Sequence, residues 1–148
     1  MSHLDRRGAA YHEAGHAVVA AVLGLTVAGI EIAIGGDDAK GATVTGDPAG
    51  LPLEDQLTIC AAGMEAQKIF DAPTHDDAGV ADYGLMFDLL DGYDDIQRRA
   101  LIKIGHKRAC DLIRLHSDFV ERVASALVVE GTIGDKRARV LLDARGLT

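Results

Sequence analysis

Aromatic side chains make up only 4% of the chain, and tryptophan is absent. A core without large rings must be assembled from Ala, Val, Leu and Ile, which favours closely packed helices over an aromatic-rich sandwich. Positive charge is also in deficit. The formal net charge is -8, so no excess positive field exists to attract phosphate, and nucleic-acid binding is not expected as the main activity. There are two cysteines, Cys60 and Cys110, and they form no C-x-x-C pair, so the expectation is two free buried thiols in a reducing compartment. Long hydrophobic runs are missing too. The most apolar stretch, Ala17 to Ile30, is too short to span a bilayer and is followed by Glu31. The start, MSHLDRRGAA, has charges but no hydrophobic region of signal-peptide type after it. These features lead to the expectation of a cytoplasmic protein without a membrane anchor.

What is present is ample for a packed core. The chain has 148 residues with 48% apolar and 26% charged side chains, which fits one globular domain over 1–148. Acid and base are segregated. Eight aspartates and no Lys or Arg fall between 71 and 95, and six basic residues fall between 98 and 114. Two solvated faces that attract each other are the plain reading; carboxylates beside a metal site are the sharper one.

The pattern along the chain is mainly α with a small β-sheet. A first helix is predicted from Asp5 to Leu23, stopped by Gly24. TVAGIEIAIGG and KGATVTGD read as two strands of a hairpin, turned at Gly35-Gly36-Asp37-Asp38 and closed by Pro48 and Pro52. A helix from Leu53 to Phe70 carries the small residues Ala61, Ala62, Gly63 and Ala66, which let another helix approach closely. A loop over 71–81 precedes a helix from Asp82 to Leu90. A long helix follows from Asp94 to Leu115, then one capped by Ser117 or Asp118 that ends near Gly131, then a short one capped by Asp135.

Within the first helix lies AAYHEAGHAVVAA, residues 9–21. His12 and His16 are four residues apart, so they share a helical face and can aim two imidazole nitrogens at one point. Zinc accepts such ligands at about 2.0–2.1 Å, and a catalytic site keeps an open fourth position. Glu13 follows the first histidine, turned about 100° around the axis, where it can act as general base without ligating the metal. The surroundings are apolar, with AVVAAVLGL after His16, and unpaired polar groups are costly there. A metal site therefore explains the two histidines better than chance on a polar face. The extended pattern H-E-x-x-H-x-x-G-x-x-H is absent, since Val19 and Val22 stand at its Gly and last His positions. A third ligand must come from elsewhere, and spacing alone leaves His75, Asp76, Asp77, Asp82 and Asp88 open.

AYHEAGHAVVA resembles the zinc-site helix of the FtsH-type peptidases, the proteolytic half of membrane-anchored AAA proteases. AKGATVTGDP, ICAAGMEAQKIF, AGVADYGLMFDLL and FVERVASALVVEGTIGDKRARVLL resemble later segments of that family in the same order, and together they cover nearly the whole chain. The resemblance implies a zincin-like helical peptidase domain that binds Zn2+ and hydrolyses peptide bonds in unfolded or flexible protein segments. It implies Asp82 as the third ligand beside His12 and His16, with Glu13 as general base. Asp82 could otherwise cap the following helix. There are departures. No G-x-x-x-x-G-K-[ST] motif is present, and Met64 and Gln67 stand where the second-helix pattern has Arg and Glu. The expectation is a stand-alone, ATP-independent peptidase domain, with a separate ATPase or adaptor as a further partner. Because domains of this type assemble as rings, a homo-oligomer is also among the expectations.

The strand Gly41, Ala42, Thr43 and Val44 offers an edge to which an extended peptide could add. Asp76 and Asp77 could orient an imidazole, but a solvated loop explains them as well. Glu65 reads as a surface residue, and His106 and His116 receive no role. Two other functions fit the same residues: a non-catalytic, zinc-stabilised interaction domain, and a regulatory protease specific for one partner such as a repressor. Structural zinc needs no base, so Glu13 weighs against the first of these.

Overall fold

The computed structural model describes residues 2–74 and 79–142. It is mainly helical, with six α-helices and one small antiparallel sheet among the described residues. Helix α1, Ser2–Val22, is the central element of the core: Ala10, Ala14, Ala17, Val18 and Val19 are all fully buried. It ends where Gly24 adopts a positive φ of 96°, which lets the Leu25 N–H reach back to the Ala20 carbonyl at 2.9 Å.

Strand β1, Val27–Ile32, is the middle of three, flanked by β2, Gly41–Thr45, and β3, Thr132–Ile133. The pairing between β1 and β2 is irregular between Val27 and Gly29. A bulge there places Val27 and Ile30, an odd number of residues apart, on the same buried side. The hairpin was expected. Strand β3 was not, because two residues that arrive a hundred positions later carry no periodicity of their own. Since β3 covers the far side of β1, β2 remains an edge strand.

Helix α2, Leu53–Ile69, packs against both α1 and α4, Asp95–Leu115. Glycines mark the closest approaches. A Cβ at Gly15 would lie 2.6 Å from the Ala62 carbonyl oxygen and 2.7 Å from the Ala66 Cβ, and one at Gly105 would lie 3.0 Å from the Leu57 Cβ. The small-residue stripe predicted on α2 is thus a packing surface for α1.

Helix α3, Val80–Leu89, begins two residues earlier than the sequence pattern suggests, because Gly79 takes the cap position in a left-handed conformation with φ 86°. Asp82 is therefore not a cap, and its side chain is available for other contacts. Met86 and Leu90 bury α3 and its end against Leu57. Helix α4 starts as expected, with a capping box between Asp94 and Gln97. Helix α5, Ser117–Glu130, does not: the cap residue is His116, whose side chain makes no capping hydrogen bond, while Ser117 is already helical. Helix α6, Asp135–Leu142, includes Asp135, whose Oδ1 accepts the Lys136 N–H at 2.8 Å.

Among the described residues, the segregated charges meet at one ion pair on α4 itself. Of the basic residues on α4, Arg98 pairs with Asp95, whereas Arg108 reaches Asp55 on α2 and Lys107 pairs within its own helix with Asp111. The cysteines are free but only half-buried. No helix among the described residues is long and apolar enough to cross a membrane.

Two glycine-to-alanine changes should act in opposite directions. Gly15→Ala forces a methyl group into the α2 backbone and should destabilise by about 1–3 kcal/mol despite better helix propensity. Gly84→Ala, in α3 with nothing near the added carbon, should stabilise by about 0.5–1 kcal/mol. Urea denaturation of the two variants beside wild type checks both signs.

Candidate metal and catalytic site

α1 presents His12 and His16 on one face, and α2 supplies an acceptor behind each ring. The His16 Nδ1–H donates to the Ile59 carbonyl at 2.8 Å. The His12 Nδ1–H donates to the Gln67 Oε1 at 2.7 Å. With both Nδ1 atoms occupied, both Nε2 atoms face a common point, 3.1 Å apart. The first turn of α3 brings the Asp82 Oδ2 to the same point, 2.8 Å from the His12 Nε2 and 3.2 Å from the His16 Nε2. Gly63 makes room on the α2 side, since a Cβ there would stand 2.5 Å from the His12 Nε2. These side chains are only 12–15% exposed, so their charges are weakly screened.

The electrostatics follow from this packing. Burial alone would raise the Asp82 pKa, but the hydrogen bonds and positive charge of His12 and His16 override it and hold the carboxyl far below the usual carboxylate range. Burial alone would lower that of His16, but the Asp82 hydrogen bond and charge, aided by Glu13, raise it to about 9. Cys60, on the wall of the same cleft, has its thiol pushed up to about 11, first by burial and then by the negative charge of Asp82. It is therefore a thiol rather than a thiolate across the neutral range.

The donor set suits a divalent cation. One ligand atom from each of His12, His16 and Asp82 lies within 4.8 Å of the other two. Tetrahedral zinc ligands at about 2.0–2.1 Å stand roughly 3.3 Å from one another, close to the separations between these three groups. Two Nε2 lone pairs and a carboxylate converging in a half-buried site need shared protons or a cation between them, and each ring already has the rear hydrogen bond that holds a histidine ligand in orientation.

Glu13 stands apart from that cluster. It is 7% exposed, and its Oε1 accepts the Thr43 hydroxyl of β2 at 2.8 Å. Gly41 permits this: a Cβ there would approach the Glu13 Cγ to 2.7 Å. Glu13, the histidines, Asp82 and the β2 residues Gly41, Ala42 and Thr43 line one open cleft of about 800 Å³. Ile59, Leu85 and Leu89 form an apolar part of its wall. Val44, in contrast, points to solvent, at 58% exposure.

The other sequence candidates separate clearly. Asp88 is exposed and does not line the cleft. His75, Asp76 and Asp77 lie outside the described residues. Glu65 is not a surface residue: it is 7% exposed and accepts from the His106 ring at 2.7 Å and from Lys68 at 3.2 Å. Since the other His106 nitrogen lies 3.4 Å from the Tyr83 hydroxyl, this group links α2, α3 and α4. Gln67 was noted in the sequence only as a departure from the family pattern. Its position one turn after buried Gly63 is the signal that could have marked it, because a buried amide needs partners. Comparison with family models and with curated proteins finds no match for this chain.

The metal-free protein should show a defined pH dependence. The raised His16 pKa contributes stability that is complete below about 6.5, its unfolded value, and lost as pH rises through about 9. The lowered Asp82 pKa contributes stability that is present above its unfolded value near 3.8 and lost as pH falls through the folded value. Urea midpoints of chelator-treated protein should therefore peak between about pH 4 and pH 6.5 and decline toward pH 9, and Asp82→Asn should flatten the alkaline decline.

Proposed function

We propose that this chain is a zinc-dependent endopeptidase of the FtsH-type, zincin-like class. The observation that carries this reading is the separation of two roles within one cleft. His12, His16 and Asp82 converge on a point, while the Glu13 carboxylate is held outside that cluster by Thr43. A site needed only for stability has no use for a second carboxylate reserved in this way. The order of the sequence segments supports the same family.

His12 Nε2, His16 Nε2 and an Asp82 carboxylate oxygen would hold the metal. Zinc bound there supplies a Lewis acid that polarises the scissile carbonyl and makes water nucleophilic near neutral pH. Glu13 takes the proton of the attacking water and later delivers it to the leaving amine. The Thr43 hydroxyl keeps the carboxylate in place for both transfers. Zinc is favoured by the mixed imidazole and carboxylate set, which other divalent metals also accept.

The free edge of β2 runs along the cleft, so an extended peptide can add to the sheet there and be held mainly through its backbone. Such binding requires a segment that can be drawn out straight. The substrates are accordingly unfolded or flexible stretches of protein, and folded ones would have to be delivered by a separate ATPase or adaptor.

Zinc-loaded wild type should cleave an unfolded protein, and Glu13→Gln should retain the metal while losing about 100- to 10,000-fold in rate. Equal cleavage by both would remove Glu13 from the mechanism. Cleavage by neither, with metal bound in both, would shift the reading to a zinc-stabilised interaction domain or a protease dedicated to one partner. Binding through β2 has its own check: peptides N-methylated on alternate backbone nitrogens should lose most of their affinity in one methylation register and little in the other.

A further inference from the structure

We infer that Gln67 is a positioning residue whose side-chain amide holds His12 with its Nε2 aimed into the His12–His16–Asp82 cluster and ties the segment before Asp82 to the same point. Gln67 is 3% exposed, and both ends of its amide are used. Its Oε1 accepts the His12 Nδ1–H at 2.7 Å, and its Nε2 donates to the Pro73 carbonyl at 2.9 Å. Pro73 belongs to the connection between α2 and α3, the helix that carries Asp82. That carbonyl is itself lodged against α1, where Gly8 leaves space that a Cβ would fill. A single amide therefore joins the first histidine, the second helix and the chain leading to the carboxylate.

The chemistry requires an amide in particular. The His12 ring needs an acceptor, and the Pro73 oxygen needs a donor. A carboxylate at 67 would satisfy the ring but oppose the carbonyl, and an apolar side chain would satisfy neither. The bond to Pro73 also fixes which end of the amide faces His12, so the ring is held in its Nδ1–H form.

The consequence for metal affinity rests on the metal site proposed above, but the consequence for the ring does not. The test uses wild type, Gln67→Met, which is nearly isosteric and apolar, and Gln67→Glu. Zinc affinity is measured by competition with a chromophoric chelator, and the His12 tautomer by side-chain ¹⁵N–¹H correlation on the zinc-free proteins. Gln67→Met should weaken zinc binding by about 10- to 100-fold and release His12 from the Nδ1–H form. Gln67→Glu should keep that form and bind zinc at least as tightly as wild type, while the zinc-free protein melts at a lower temperature because the Pro73 contact is lost. A merely structural Gln67 would change melting in both variants and neither the tautomer nor the zinc affinity, and that result would overturn the inference. If Gln67→Met does not fold, loss of the Nδ1–H form in Gln67→Glu would overturn it. A wild type that binds no zinc would overturn the metal reading, and the His12 tautomer in Gln67→Met would still decide the role of Gln67.

Discussion

The close approach of α1 to α2 is the constraint from which the rest of the site follows. Gly15 lies against the Ala62 carbonyl, and Gly63 lies against the His12 ring. With side chains at either position the helices would stand further apart, and the Ile59 carbonyl and the Gln67 amide would no longer reach the backs of the two imidazoles. Those two hydrogen bonds turn both Nε2 atoms inward. Once they face inward, a pair of imidazoles with Nε2 atoms 3.1 Å apart needs a counter-charge, and Asp82 arrives with one from the first turn of α3. Small-residue packing, ring orientation and charge thus form one sequence of causes.

The cleft has two kinds of carboxylate because it has two kinds of surroundings. Asp82 is between two imidazoles and is kept ionised by them. Glu13 is turned away from the cluster toward β2, where a hydroxyl from the strand holds it. The strand that restrains Glu13 is also the free edge of the sheet, so in the proposed mechanism one element would both seat a peptide backbone and orient the base.

Local signals in the sequence marked most of the local structure, though not the start of α3 or the cap of α5. The histidine pair and Glu13 were readable because one helical turn sets their geometry, and the helices and hairpin were readable from periodicity and glycine stops. Asp82 was one of five open candidates until the order of later segments resembled a known family, because nothing near residue 82 says which element it faces. The contacts that organise the site were hidden for the same reason. The Ile59 carbonyl is backbone and has no side-chain signature, and Gln67 meets His12 from 55 positions further along the chain. Strand β3 is two residues long and paired across the chain, and Glu65 looked exposed because its partner His106 lies on another helix.

Everything proposed for the cleft depends on His12, His16 and Asp82 forming one metal site. X-ray absorption on the zinc-loaded protein tests it most directly, because it reports what surrounds the metal. Two imidazole nitrogens with oxygen completing the shell, all at about 2.0–2.2 Å, are expected. A sulfur neighbour at about 2.3 Å would place the metal on a cysteine, and a shell without imidazole scattering would place it on surface carboxylates; either result would contradict the account.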